Sequence, residues 1–134
     1  MPDKNIADLL QDAGVSPTTQ RLEIAAILLD RPQHLSAEQI IERLREQGSR
    51  VSKATVYNTL NLFGAKGLIR EVIVDPSRTF FDSTTHPHHH IYNVDTGILS
   101  DVPGEAIHIA GLPELPDGTE QESVEVLIRV RNQQ

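Results

Sequence analysis

Residues 52–82 read SKATVYNTLNLFGAKGLIREVIVDPSRTFFD, and the hydrophobic period changes from helical to extended within this stretch. Its first part, 52–66, predicts an amphipathic helix, because three apolar residues recur at i, i+4 and i+7: Val56, Leu60 and Phe63. The β-branched run Leu68–Val74 then predicts a strand, Asp75–Arg78 a turn, and 79–81 the return strand. A helix followed directly by a β-hairpin predicts the end of a winged helix-turn-helix.

Further helices are predicted upstream, as that architecture requires. The first spans Lys4–Ala13, whose apolar residues share one helical face. The second is predicted to begin with Ser16 as the N-cap and Pro17 at the first helical position. The third is predicted to begin at Ser36, which has capping-box spacing to Gln39.

The rest of the chain predicts a second, smaller unit. His90–Asn93 and Gly97–Val102 predict a hairpin, and Ser123–Arg131 alternates strictly enough to predict a further strand. The expected fold class is therefore α+β. An N-terminal winged helix-turn-helix is expected over residues 1–82 and a small α/β domain over 83–134.

Charge is divided unevenly between these two parts. Residues 1–80 carry ten Lys or Arg and ten Asp or Glu, whereas residues 81–134 carry two Arg and nine acids. The acidic part thus accounts for the whole net charge of −7, and it also holds five of the six histidines. A neutral front and an acidic, His-rich back predict two parts with different tasks.

The composition also restricts the compartment and the chemistry. The chain has no cysteine, which excludes disulfides and thiolate-bound zinc. No apolar run approaches the length of a membrane span, and the first ten residues lack the apolar stretch of a signal peptide. We therefore expect a cytoplasmic protein without a membrane partner.

The outward face of the predicted helix over 52–66 carries side chains suited to DNA. A recognition helix turns its apolar stripe to the core and leaves short polar side chains for the major groove. Asn can bond adenine, a Thr methyl can contact thymine, and Lys suits phosphate. An ordinary amphipathic helix with a solvated face is the alternative, and the hairpin that follows favours the DNA-reading interpretation. The candidate DNA-binding residues are Arg21, Ser52, Lys53, Thr55, Tyr57, Asn58 and Asn61.

The segment DSTTHPHHH, residues 82–90, predicts a metal site. In an extended chain His88 and His90 point to one face, His86 can join them, and His89 points away. The aspartate that opens the segment, together with Asp101 on the next predicted strand, can add carboxylates. Nitrogen and oxygen ligands without sulfur suit Fe(II), Mn(II) or Zn(II), and the carboxylates favour iron and manganese. A solvated His-rich loop is the alternative.

Several motifs resemble, in order and spacing, the ferric uptake regulator (Fur) family. They are SPTTQRL from Ser16, HLSAEQI from His34, SKATVYNTL from Ser52, the His cluster and the terminal SVEVLIRVR. The family's peroxide regulators place a His before the third helix, followed by Asp-x5-His-x-His-x10-Asp. The positions of this sequence that match that pattern are His34, Asp82, His88, His90 and Asp101.

The resemblance implies a function and its partners. It implies a regulatory Fe(II) or Mn(II) ion, replaceable by zinc in vitro, that joins a DNA-binding half to a metal-sensing dimerisation half. It further implies a homodimeric repressor, not an enzyme, that binds a double-stranded operator and controls iron-homeostasis or peroxide-stress genes. In the peroxide-sensing variant, oxidation of His34 or His88 releases the DNA.

The sequence departs from many members of that family because it lacks their structural zinc. Asn93 and Thr96 stand where the first Cys-x-x-Cys pair aligns. The iron response regulators also lack these cysteines and carry TVYNTL and a His-His-His run, so the chain looks closest to them. In that subgroup the His run is linked with haem, which makes haem a further candidate ligand.

Other interpretations stay open from the sequence. A second metal or haem site can involve His86, His89 and His108, with Glu120 or Glu122 nearby, or these can be plain surface residues. A metal-dependent hydrolase is disfavoured because five ligands leave little room for substrate and no separate base is evident. A metal-buffering or haem-binding protein without DNA contact would leave the winged-helix half unexplained.

Overall fold

The computed structural model describes residues 5–134, which form two compact units. The first unit ends at Thr85 and the second begins at His86, whereas the boundary expected from the sequence lies between residues 82 and 83. Each unit contains a three-stranded sheet, and within the described residues only the first contains α-helices. This combination confirms the expected α+β class.

The helices of the first unit are α1 (Ile6–Asp12), α2 (Thr19–Leu28), α3 (Ala37–Glu46) and α4 (Lys53–Ala65). The expected Lys4 start of the first helix lies outside the described residues. The capping box of α3 is confirmed: Ser36 Oγ accepts the N–H of Gln39, and Gln39 Oε1 accepts the N–H of Ser36. The start of α4 is also as predicted, with Ser52 as its N-cap.

The predicted start of α2 is wrong. Thr18 is the N-cap instead of Ser16, and its Oγ1 accepts the N–H of Arg21 at 3.2 Å. Pro17 therefore precedes the cap and does not occupy the first helical position. The carbonyl of Ser16 accepts a bond from Arg21 Nη1 at 2.9 Å, so Arg21 holds the segment before the helix.

The sheet of the first unit contains β1 (His34–Ser36), β2 (Arg70–Asp75) and β3 (Arg78–Asp82), in the order β1-β3-β2. Both pairings are antiparallel, and β2 and β3 are the predicted hairpin. The sequence did not predict β1, because three residues are too few to show a period. This short strand places residue 34 directly opposite residue 82.

One apolar cluster joins the helices of the first unit to β3. All three apolar residues predicted for the inner face of α4 are 0% exposed: Val56, Leu60 and Phe63. Thr59 on this helix is also buried, which the sequence did not predict because its side chain carries a polar hydroxyl. Burial of each large side chain contributes about 1.5–3 kcal/mol, so the core fixes which face of α4 points outward.

The second unit contains β4 (His89–Asn93), β5 (Leu99–Val102) and β6 (Leu127–Val130), in the order β5-β4-β6. The predicted hairpin is β4 and β5, and β6 runs parallel to β4. The strand predicted over Ser123–Arg131 is too long, since its register with β4 covers only residues 127–130. Alternation in sequence predicts an extended chain, but a strand also needs a neighbour along its length.

The segment between β5 and β6 is mostly irregular. Gly104–Ala106 forms one 3₁₀ turn, and residues 107–126 form neither helix nor strand. Pro113 and Pro116 lack backbone donors, and Gly111 and Gly118 adopt positive φ values of 74° and 79°. This composition prevents a helix there. No helix among residues 5–134 is long and apolar enough to cross a membrane.

Candidate metal centre and nucleic-acid interface

In the first unit, the register of β1 with β3 brings His34 and Asp82 together. They are directly opposite in the antiparallel ladder, and 4.0 Å separates His34 Nε2 from Asp82 Oδ2. Asp82 is 1% exposed, and its Oδ1 accepts the N–H of Thr84 at 2.8 Å. A carboxylate this deeply buried is stable only with partners, because burial without them is costly. The pair is therefore a candidate for metal binding within the first unit.

A hydrogen-bond network holds the backbone next to His34 and Asp82. The β1–β3 ladder continues to the neighbouring residues, where Ser83 N–H donates to the Gln33 carbonyl at 3.1 Å. In return the N–H of Gln33 donates to Ser83 Oγ at 3.0 Å. Gln33 Nε2 also binds the carbonyls of Ile27 and Leu28, at 2.8 and 3.1 Å. The network thus connects the end of α2 to the backbone on which His34 is held.

In the second unit, three predicted ligands converge. His90 is opposite Asp101 in the β4–β5 ladder, with 3.3 Å between Nε2 and Oδ1. His88 Nε2 lies 3.0 Å from the same Oδ1. The two imidazole rings are 4.4 Å apart between centroids, on the face that strand alternation predicts. Asp101 is half-exposed, whereas both histidines are buried.

The hydrogen bonding of His88 orients its ring so that Nδ1 meets a backbone carbonyl and Nε2 faces Asp101. Its Nδ1 lies 2.8 Å from the carbonyl of His86. Because a carbonyl only accepts, Nδ1 carries the proton, and in a neutral ring Nε2 presents a lone pair. That lone pair and the carboxylate Oδ1 are both acceptors, so a proton or a metal ion must lie between them. Ligand atoms about 2.1 Å from one ion lie roughly 3.0–3.4 Å apart, which fits the two distances to Asp101.

The residues proposed for a second metal or haem site are not gathered together. His89 is buried on the opposite face of β4, where its Nδ1 accepts the N–H of Val126 at 2.8 Å. His86 and His108 are exposed. Within residues 5–134, no cluster of metal-binding side chains includes His89 or His108. The three consecutive histidines therefore do not face one iron.

The predicted DNA-binding residues lie on α4 and at its N-cap, except Arg21, which lies in the first turn of α2. Lys53, Asn58 and Asn61 are exposed on the outer face of α4, and Tyr57 is 36% exposed. Ser52 caps the helix, and its Oγ accepts the N–H of Thr55 and donates to Thr55 Oγ1. Ser52 is therefore engaged in starting the helix, while the other side chains remain at the surface.

Two grooves flank this outer face. One cavity of about 500 Å³ lies between the start of α2 and α4, and its lining includes Arg21, Thr55 and Asn58. The other, of about 250 Å³, lies between α4 and the hairpin, and Tyr57 and Asn61 line it. The helix is thus a ridge between two polar grooves, a shape that suits insertion into a major groove.

Sequence reasoning missed one contact on this surface. The hydroxyl of Tyr57 donates to Oε1 of Glu38 on α3 at 2.9 Å. The two residues are 19 positions apart in sequence. No spacing rule predicts this pair, because it depends on the crossing of α3 and α4.

A helix–sheet unit with a buried core and an exposed polar helix face, together with histidine–aspartate clusters in both units, is typical of a metal-binding, winged-helix class of protein. Residues 12–113 match the ferric uptake regulator family. The chain belongs to that family, which confirms the resemblance seen in the motifs.

Two relatives and one solved structure illustrate the similarity. A ferric uptake regulation protein of Vibrio anguillarum is 35% identical over 109 residues, which cover 80% of this chain and 72% of that protein. The peroxide-responsive repressor PerR of Staphylococcus aureus is 35% identical over 99 residues, 74% of this chain and 66% of the repressor. The ferric uptake regulator from Pseudomonas aeruginosa with manganese superposes with a TM-score of 0.73 at 27% identity, covering 98% of this chain and all of that one.

Proposed function

We propose that this chain is a cytoplasmic, metal-responsive DNA-binding repressor that holds one Fe(II) or Mn(II) ion with His34, Asp82, His88, His90 and Asp101. The observation that carries the proposal is the approach of two histidine Nε2 atoms to one Asp101 oxygen, at 3.0 and 3.3 Å. In the other unit, a buried aspartate opposite a histidine repeats the same His–Asp pairing.

The donor set favours iron and manganese. Three imidazole nitrogens and two carboxylates, with no sulfur ligand, suit Fe(II) and Mn(II) better than metal ions that prefer thiolates. Zn(II) also binds nitrogen and oxygen ligands, but this donor set does not favour it over the other two ions. The relatives above are named for iron uptake and peroxide response, and the Pseudomonas structure contains manganese. Haem is a weaker candidate here because His89 faces away from His88 and is bonded to Val126.

The ligands divide between the two units, and this suggests how metal controls DNA. His34 and Asp82 belong to the helical unit, and the other three belong to the second. An ion that binds both sets would restrict the position of the recognition helix relative to the second unit. In a homodimer, a fixed geometry allows two such helices to enter successive grooves of an operator. The genes controlled would be those of iron homeostasis or peroxide defence.

Exposed apolar side chains support the homodimer. Seven of the nine exposed large hydrophobic residues found in the described part of the chain belong to the second unit. They are Val94, Ile98, Ile109, Leu112, Leu115, Ile128 and Val130. Exposed apolar surface concentrated in one unit favours an interaction there, so we propose that the second unit forms the dimer.

The peroxide-sensing variant is a second candidate, favoured by the similarity to PerR. The iron-loaded protein is treated with hydrogen peroxide and its peptides are weighed by mass spectrometry. An added oxygen on His34 or His88 would support the variant, with the manganese-loaded protein as the control. Unmodified histidines in both samples would contradict the peroxide-sensing variant and would leave the metal-sensing proposal unchanged.

DNA binding tests the proposal as a whole. The metal-stripped chain is titrated against DNA from upstream of its own gene, with and without Mn(II), at one stated salt concentration. Mn(II) should tighten binding roughly 5- to 150-fold, the usual range of such coupling. Asp82→Asn should abolish the response, and Asp8→Asn, at an exposed aspartate of α1, should keep it. Equal binding with and without Mn(II) would contradict metal activation.

A further inference from the structure

The hydrogen bond between Tyr57 and Glu38 joins two elements of the DNA-facing surface. Tyr57 lies on the outer face of α4, and its hydroxyl donates to Glu38 Oε1 at 2.9 Å. Glu38 is in the first turn of α3. Both residues line the groove between α4 and the hairpin, together with Asn61, Pro76 and Ser77. If α4 enters the major groove, the bond therefore lies where the protein would contact a base or a phosphate.

The protonation states of the two groups at neutral pH favour this bond, because Glu38 is ionised and Tyr57 is neutral. The pKa of Glu38 is below its ordinary value, first because of its own backbone N–H and next because of the Tyr57 hydroxyl. Lys53 and Arg78 lower the pKa of Glu38 further. Conversely, the hydrogen bond to Glu38 raises the pKa of Tyr57. At neutral pH the pair is thus a carboxylate that accepts and a phenol that donates.

This arrangement occupies the only proton of the Tyr57 hydroxyl. A phenol has one O–H to donate and lone pairs that accept. With the proton committed to Glu38, the oxygen can only accept a bond from DNA. In the major groove the base-edge donors are the amino groups of adenine N6 and cytosine N4, whereas thymine O4 and guanine O6 and N7 are acceptors.

We propose, on the basis of the DNA-binding function proposed above, that Glu38 is a specificity-determining residue that makes Tyr57 an acceptor for a base amino group. The Glu38 carboxylate repels phosphate, so it directs this part of the groove toward base edges. Glu38 acts through Tyr57 and is a positioning residue, whereas Tyr57 contacts the base. The pair selects adenine or cytosine at one position of the operator strand.

The experiment uses the full chain loaded with Mn(II). Selection from a randomised double-stranded DNA library defines the preferred site. Fluorescence anisotropy then measures binding to that site and to every single base-pair substitution of it, at one salt concentration. In the wild-type chain, replacing the base read by Tyr57 should weaken binding roughly three- to tenfold, the effect of one neutral hydrogen bond.

Three variants separate the role of the bond from the role of the charge. Tyr57→Phe should lose the preference at that base pair alone. Glu38→Ala frees the hydroxyl proton, so the preference at the same position should disappear or turn to thymine or guanine. Glu38→Gln keeps an oxygen that accepts from Tyr57, so it should keep the preference while affinity rises for all sites, because a negative charge is lost.

The double variant and the negative outcomes complete the test. Glu38→Ala combined with Tyr57→Phe should match Tyr57→Phe alone at the discriminated position. The proposal fails if Glu38→Ala changes all sites equally, or if it changes the preference when Tyr57 is already Phe. A wild-type chain that enriches no sequence would contradict the proposed DNA-binding function itself. Thermal unfolding of each variant confirms that the fold is retained.

Discussion

His90 is directly opposite Asp101 in the antiparallel β4–β5 ladder, and 3.3 Å separates their Nε2 and Oδ1 atoms. His34 and Asp82 have the same cross-strand relationship in the β1–β3 ladder of the other unit. Residues directly opposite in an antiparallel pair project to one face, so strand register alone brings each pair together. A one-residue slip of the register would turn one side chain of a pair to the other face of the sheet.

Replacement of Asp101 by Asn should weaken Mn(II) binding without unfolding the chain. The substitution removes a negative charge that lies close to two imidazoles. Because Asp101 is 54% exposed, the new amide at position 101 can hydrogen-bond to water. We expect a loss of at least about tenfold in affinity, measured by electron paramagnetic resonance of free Mn(II). Asp95→Asn in the same hairpin is the control, because it removes the same charge from a carboxylate that binds the N–H of Asn132 and is not one of the proposed ligands. Equal losses in the two variants would indicate a nonspecific charge effect.

Gln33→Ala should destabilise the first unit and reduce the response of DNA binding to metal. Its amide binds two carbonyls of α2, and its Oε1 accepts Arg43 Nη1 at 3.2 Å. Their loss should cost about 1–3 kcal/mol in the free energy of unfolding, measured by urea denaturation. Gln11→Ala, at an exposed glutamine of α1, should stay within about 0.5 kcal/mol. A Gln33 variant as stable as wild type would show that the network does not contribute to the free energy of unfolding.

Recognition and stability should separate on α4. Asn58→Ala removes an exposed side chain and should weaken DNA binding while the unfolding free energy changes by less than about 0.5 kcal/mol. Leu60→Ala creates a cavity at a fully buried position and should cost about 2–5 kcal/mol. Calorimetric unfolding and DNA titration on the same samples measure both effects. If Asn58→Ala bound DNA as tightly as the wild type, Asn58 would not be a contact.

The Glu38–Tyr57 bond should give a pH dependence with two limits. The pKa of Glu38 lies below 4.5, so its contribution to stability is present above pH 4.5 and is lost as the pH falls through the lowered pKa. The pKa of Tyr57 lies above 10.0, so its contribution is present below pH 10.0 and is lost as the pH rises through the raised pKa. Ultraviolet titration of the phenols should show one pKa returning toward 10.0 in Glu38→Ala. Tyr57→Phe assigns that titration, and an unshifted pKa would show that the bond is absent in solution.

Local sequence rules predicted the elements that are determined locally. The apolar spacing of α4, the capping box of Ser36 and Gln39 and the turn at 75–78 each involve neighbours in sequence. Spacing together with the family resemblance predicted the five candidate ligands, and alternation along the strand predicted that His89 faces away. The structure gathers His34 with Asp82, and His88 and His90 with Asp101, each within its own unit.

Features that depend on distant partners could not be predicted in this way. The strand at 34–36 exists because β3 lies beside it, and β6 is short because its register with β4 covers four residues. The choice of Thr18 over Ser16 as cap is a competition between two similar residues. The contact of Glu38 with Tyr57 requires two helices to cross, which no one-dimensional period describes.

Titration calorimetry with Mn(II) distinguishes the proposed five-ligand ion from a metal site confined to one unit. The wild-type chain should bind one Mn(II) per chain. His34→Asn in the first unit and His90→Asn in the second should each lower the affinity for that single ion by at least about tenfold. A His34→Asn chain that binds Mn(II) with wild-type affinity would contradict the five-ligand proposal, because the site would then belong to the second unit alone.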